Sequence, residues 1–148
     1  MKIQMASDMK DAGSNAKRWM LMDDNRDVLL MLSALAKTLT RAEIECYSAP
    51  EEALAAFAAA SEQYELVITD YEMPGMNGIE LCRRIRQARP GQKIFLATGS
   101  GYFTSAAARF AGFNALLEKP FPLAVLKKAL ADNFVAPVNY CSIALLPV

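Results

Sequence analysis

The chain has 148 residues, with 16 basic and 16 acidic side chains and no histidine. Zero net charge argues against a broad nucleic-acid surface, which needs a basic excess, and no apolar run reaches the ~20 residues that span a bilayer. The absence of histidine excludes Ser-His-Asp and Cys-His schemes and nearly excludes the usual zinc sites, while three scattered cysteines, Cys46, Cys82 and Cys141, fit a reduced cytoplasmic compartment.

Residues 1–16 are polar and unpatterned, without the apolar block of a signal peptide, and read as a disordered leader. Trp19 to Met22 is a short apolar strand that runs into two carboxylates, Asp23 and Asp24. Asn25 suits the N-cap of the next helix, where Val28, Leu32, Leu35 and Leu39 recur at helical period. Ile44 to Tyr47 is a second strand. Ser48-Ala49-Pro50-Glu51 reads as a capping box with proline in the first turn, opening an alanine-rich helix through Ala60.

Leu66 to Thr69, apolar and β-branched, is a third strand, and it ends in Asp70. Pro74 and Gly75 stop it. Asn77 suits the cap of a helix with Ile79, Cys82 and Ile85 inward, and Arg83, Arg84, Arg86 and Arg89 read as its solvated face. Lys93 to Ala97 is a fourth strand ending at Thr98. A short helix, Thr104 to Ala111, stops at Gly112, the residue type that tolerates a left-handed C-terminal turn. Ala115 to Glu118 is a fifth strand, followed by Lys119-Pro120. A last helix begins at Pro122 with Leu123, Leu126 and Leu130 inward.

Five strands alternating with five helices predict one α/β domain over residues 17–133, a parallel sheet covered on both faces by right-handed crossovers. In open sheets of this kind the site lies beyond the carboxyl ends of the strands. Those ends carry Asp23 and Asp24, Asp70, Thr98 and Lys119. An isolated Asp-Asp is usually a cap, a lone strand-end threonine usually packs, and Lys-Pro-Phe is usually a turn. Their joint occurrence at four strand ends is what those readings leave unexplained.

The set resembles the receiver domain of two-component response regulators. The matching residues are Asp23-Asp24, Asp70 with Met73-Pro74-Gly75 and Gly78 behind it, Thr98, and Lys119-Pro120-Phe121. The resemblance implies a flavodoxin-like, doubly wound, five-stranded parallel sheet of order 2-1-3-4-5, which makes the four chemistry-bearing strands contiguous. Three carboxylates brought together repel by roughly 4 kcal/mol per pair at 4 Å and an effective dielectric of 20, and Lys119 offsets only one of them. The excess calls for a hard divalent cation in an all-oxygen site, Mg²⁺. Asp24 and Asp70 are expected as direct ligands and Asp23 as a ligand directly or through water, and the resemblance adds the main-chain carbonyl of Glu72. Asp70 is then the phosphoryl acceptor, supplied by a histidine kinase or phosphotransfer protein, with Lys119 and Thr98 stabilising the phosphoryl oxygens. The Lys119–Pro120 peptide is expected to be cis. The resemblance implies a stand-alone phosphoacceptor, not an enzyme acting on external substrate. Its phosphorylation and dephosphorylation are Mg²⁺-dependent and self-catalysed, and it signals by binding partners.

Two rival readings stand beside this one. A binding module with the receiver fold needs no phosphorylation. Haloacid-dehalogenase phosphatases also order Asp, Thr and Lys after successive strands, with an acid two residues past the nucleophile as Glu72 is here. They usually have Asp at that position, however, and their extra carboxylates come late in the chain, whereas Asp23-Asp24 come first. The sequence departs from the receiver pattern at Leu116, where the family usually has Tyr or Phe. Output is then expected through another residue such as Phe113 or Tyr102. Glu72 places charge near an attacking water and predicts an altered phosphoryl lifetime. The tail, residues 134–148, is apolar and broken by proline. It reads as an arm folded on its own domain or, more sharply, as an intermolecular arm that makes a homodimer.

Overall fold

A computed structural model describes residues 2–4, 16–99, 101 and 103–134. The strands are β1 (Lys2–Gln4), β2 (Arg18–Met22), β3 (Glu43–Tyr47), β4 (Tyr64–Thr69), β5 (Ile94–Thr98) and β6 (Ala115–Glu118). The helices are α1 (Arg26–Lys37), α2 (Pro50–Ala59), α3 (Gly78–Ala88), α4 (Ser105–Ala111) and α5 (Leu123–Asn133). The sheet order is β1-β3-β2-β4-β5-β6. From β3 to β6 every pair is parallel, which is the expected five-stranded order 2-1-3-4-5.

Side-chain alternation explains the layers. In β2, Trp19 and Leu21 face one side and Met20 and Met22 the other; in β4 Leu66 and Ile68 oppose Val67; in β5 Phe95 and Ala97 oppose Ile94 and Leu96. The first set packs under α1 and α5, through Leu29, Leu32, Ala36, Leu126 and Leu130. The second packs under α2, α3 and α4, through Ala53, Phe57, Leu81, Ile85 and Ala108. A strand buried on both faces has no polar side to offer, so it reads as a continuous apolar run. Each such Leu, Ile or Phe stabilises the fold by roughly 1.5–3 kcal/mol.

One buried residue of these strands, among those described, is charged. Glu45 is buried in β3, where its carboxylate accepts hydrogen bonds from the hydroxyls of Tyr47 at 3.1 Å and Tyr64 at 2.7 Å and pairs with Arg18 at 3.2 Å. A buried charge needs such partners. Burial and the adjacent carboxylate hold both tyrosine hydroxyls far above their ordinary range.

Three local expectations are corrected. Residues 1–16 are not wholly a disordered leader, because Lys2–Gln4 pairs antiparallel with β3, Lys2 opposite Tyr47 and Gln4 opposite Glu45. The β3 edge otherwise presents unpaired backbone groups that template pairing. The N-cap of α2 is Ala49, one residue past the Ser48 that the capping box called for. Arg86 and Arg89 are not a free solvated face. Arg86 donates to the carbonyls of Gly112 and Gln92 and to Asn114 Oδ1, and Arg89 donates to the carbonyl of Ser61. Arg83 and Arg84 do lie outward, paired with Glu80.

The other caps are as expected. Asn25 accepts from Asp27 N–H at 2.9 Å and Val28 N–H at 3.2 Å; Asn77 accepts from Glu80 N–H at 2.9 Å; Gly112 closes α4 at φ 110°. Among the described residues no helix is long and apolar enough to cross a membrane. The apolar tail, beyond Phe134, and the homodimer expected through it lie outside the described residues, as does Tyr102.

Candidate functional site

Backbone hydrogen bonds carry the parallel ladders one residue past the strand ends. Asp70 N–H donates to Met22 C=O at 2.9 Å, Asp23 N–H to Tyr47 C=O at 3.2 Å, and Lys119 N–H to Thr98 C=O at 3.0 Å. The residues that bear the chemistry are therefore held by the sheet itself. They lie where β2 and β4 adjoin, the point at which the connections leave for opposite faces and a crevice opens.

That crevice is an open cleft of about 620 Å³, lined by Asp23, Asp24, Asp70, Tyr71, Glu72, Asn77 and Lys119 among others. Carboxylate oxygens of Asp23, Asp24 and Asp70 lie within 4.8 Å of one another. Lys119 Nζ reaches Asp23 Oδ2 at 2.8 Å and Asp70 Oδ1 at 3.5 Å. The Lys119–Pro120 peptide is cis.

The three aspartates differ in setting. Asp23 is 1% exposed, Asp70 is half-buried and Asp24 is exposed. Asp23 Oδ1 accepts from Asn25 N–H at 2.9 Å, while Oδ2 takes the lysine ammonium. Burial pushes the Asp23 carboxyl above its ordinary value; the hydrogen bonds from Lys119 and Asn25 pull against that, and the charge on Asp70 adds to it. Three carboxylates against one ammonium leave an excess of two negative charges, all on hard oxygen donors. That donor set fits a Mg²⁺-type cation better than zinc, whose sites are mostly built on nitrogen or sulfur ligands.

The loop after Asp70 is fixed by close approach. Gly78, the first residue of α3, donates its N–H to Tyr71 C=O at 2.8 Å, and a Cβ there would sit 2.3 Å from Asp70 C=O. Gly75 adopts φ +85°, a conformation open to glycine. Thr69 Oγ1 donates to Asp70 C=O at 2.9 Å, so the Asp70 backbone is held through both its N–H and its carbonyl.

Of the expected site residues, Asp23, Asp24, Asp70, Glu72 and Lys119 come together in the cleft. Thr98 ends β5 opposite Glu118, is 2% exposed and lies outside that lining. Phe113, one candidate for the missing aromatic, is sealed in the core at 2% exposure. Two contributors were not anticipated. Asn25 orients Asp23 through its backbone, which no side-chain pattern signals. Tyr71 lines the cleft and meets Phe103, a contact across 32 positions that no spacing rule links.

Residues 20–131 match the family model for the response regulator receiver domain. The uncharacterized transcriptional regulatory protein YrkP of Bacillus subtilis is 31% identical over 106 residues, 72% of this chain and 44% of that protein. A chemotaxis protein CheY homologue of Campylobacter jejuni is 36% identical over 75 residues, 49% of this chain and 58% of its own length. The matched segments thus span about half the length of these relatives. The response regulator TrrA of Thermotoga maritima, solved in complex with Mg²⁺ and BeF, is similar with a TM-score of 0.67 at 30% identity, covering 80% of this chain and 99% of that one.

Proposed function

The chain belongs to the response regulator receiver family, and from that premise we propose that Asp70 accepts a phosphoryl group from the phosphohistidine of a histidine kinase or phosphotransfer protein. One observation carries the reading: three carboxylates with oxygens within 4.8 Å of one another share a single ammonium, 2.8 and 3.5 Å from two of them. Such crowding of carboxylates is costly without a cation and suits a reaction in which charge is gathered and compensated.

In the transfer, an Asp70 carboxylate oxygen forms the new O–P bond as the P–N bond to the donor imidazole breaks. The imidazole leaves as the neutral group once it has a proton. There is little covalent work for a protein to do beyond placement and charge compensation. Lys119 supplies a fixed ammonium beside Asp70, positioned in advance by Asp23, so its reorientation costs nothing during the step. Thr98, one strand over from Asp70, offers a hydroxyl to the phosphoryl oxygens. Mg²⁺, when held by Asp23, Asp24, Asp70 and the main-chain carbonyl of Glu72, supplies the positive charge that lets a dianionic group approach three carboxylates. Glu72 is exposed and lines the cleft, which supports a role in altering the phosphoryl lifetime by putting charge near an attacking water. The phosphorylated chain then acts by binding a downstream protein.

The test is phosphotransfer in Mg²⁺ from a small acyl phosphate or a phosphorylated kinase, read by intact mass. The native chain gains one phosphoryl group and Asp70→Asn gains none. A native chain that stays unmodified under both donors would leave a binding module with the receiver fold. Turnover of a phosphate monoester would move the chain among the phosphatases.

A further inference from the structure

The cleft meets a second groove on the neighbouring face at two places: Lys119 of the cleft lies between Glu118 and Pro120 of the groove, and an aromatic pair crosses from one to the other. Tyr71 follows Asp70 and lines the cleft. Its ring meets the edge of Phe103, centroids 5.0 Å apart at an interplanar angle of 68°. Phe103 precedes Thr104, the N-cap of α4, and walls a groove of about 340 Å³ together with Leu116 of β6 and Val125 of α5. Tyr71, Phe103 and Leu116 are all partly buried against the same core cluster.

The backbone around Tyr71 has little freedom. Its carbonyl accepts from Gly78 N–H at 2.8 Å, and the preceding N–H, on Asp70, is bound to Met22. A tetrahedral group added to Asp70 enters the cleft that Tyr71 lines, and the Tyr71 side chain is freer to yield than its hydrogen-bonded backbone. An edge-to-face pair is directional, so a shift of one ring forces the other to follow or releases it. Leu116 contributes no ring to the groove, and Phe103 is the wall residue whose ring meets Tyr71.

We propose that the Tyr71–Phe103 pair transmits the state of Asp70 to the groove between α4, β6 and α5, reshaping its wall at Phe103. This rests on the phosphoryl-acceptor reading above. The two are separated by NMR of the full chain titrated with Mg²⁺ and beryllofluoride, following amides of Asp70 and Tyr71 and methyls of Leu116 and Val125. In the native chain both sets shift. In Phe103→Leu the Asp70 and Tyr71 shifts persist while those of Leu116 and Val125 fall at least threefold, and Tyr71→Leu, approaching from the other side of the contact, gives the same loss at the groove. Groove shifts of native size in either folded variant overturn the proposal, as do native groove methyls that stay fixed while Asp70 responds. A native chain with no response even at Asp70 overturns the acceptor reading, and the relay falls with it.

Discussion

Replacing Asp70 by asparagine should make the ion-free protein more stable. Oxygens of Asp23, Asp24 and Asp70 lie within 4.8 Å of one another. At an effective dielectric of 20, two unit charges at that separation repel by about 3.5 kcal/mol. Lys119 Nζ, 3.5 Å from Asp70, returns about 4.7 kcal/mol on the same scale. The substitution relieves two repulsions and loses one attraction, a net gain of about 2 kcal/mol before screening. Asp24 is exposed and the cleft is open, so solvent and salt cut this to about 1 kcal/mol. For a domain of this size that raises Tm by about 3–5 °C. The assay is thermal unfolding by circular dichroism in EDTA and again in Mg²⁺. Mg²⁺ at ten times its dissociation constant stabilises the native chain by about 1.4 kcal/mol and Asp70→Asn by less, so the order of the two melts narrows or reverses. A variant that melts at or below the native chain in EDTA would refute the claim that these carboxylates are crowded at a cost.

Lys119→Met carries the opposite sign. It leaves Asp23, 1% exposed, without its ion pair and should cost about 3 kcal/mol in EDTA, measured by urea unfolding. Gly78→Ala places a Cβ 2.3 Å from Asp70 C=O, which the backbone relieves only by moving the acceptor. Stability should drop by about 1–3 kcal/mol, and the rate of phosphorylation should fall further than that of Gly91→Ala, where a Cβ meets nothing. The Cys46 thiol is buried and pushed up to about 11 by that burial, so at pH 8 about one in a thousand is thiolate. In a Cys141→Ser background, alkylation of Cys46 and Cys82 at pH 8 should track global unfolding in urea; labelling of the native fold at the rate of a free thiol would contradict the burial of both.

The strands β2, β4 and β5 were legible because each is a short, mostly apolar run buried on both faces, while β3, which carries Glu43 and Glu45, and β6, which ends in exposed Glu118, were legible from their place between helices. The site was legible for the same reason. A parallel sheet sends the carboxyl ends of its strands to one edge, so Asp23, Asp24, Asp70 and Lys119 needed only the strand order to be brought together. Other features depend on partners that no local pattern names. Lys2–Gln4 is a strand because β3 offers an unpaired edge, not because Lys-Ile-Gln prefers to be one. The residue before a proline is driven to extended backbone, and Ala49 at φ −125° and ψ 124° thereby becomes the N-cap in place of Ser48. On a helical wheel the four arginines of α3 look alike. Arg86 is distinguished by the carbonyl of Gly112, 26 positions away, and Arg89 by that of Ser61, 28 positions back.

Stability and chemistry meet in the backbone ladder. Asp23 and Asp70 cannot relieve their repulsion by drifting apart, because their own N–H groups are bonded to Tyr47 and Met22. The charge must then be met by something that can arrive or leave. Lys119 answers part of it, and burial lifts the Asp23 carboxyl toward protonation. That lift has a definite sign: the stability Asp23 contributes is full below its unfolded-state value and is lost as pH rises through its higher folded-state value. In Asp23→Asn this part of the pH dependence of the ion-free protein should vanish. A cation at the three carboxylates acts on the same balance, displacing protons and stabilising the fold together. The rigidity that makes this corner of the sheet costly is what keeps Asp70, the ammonium and the neighbouring carboxylates in place for the proposed transfer.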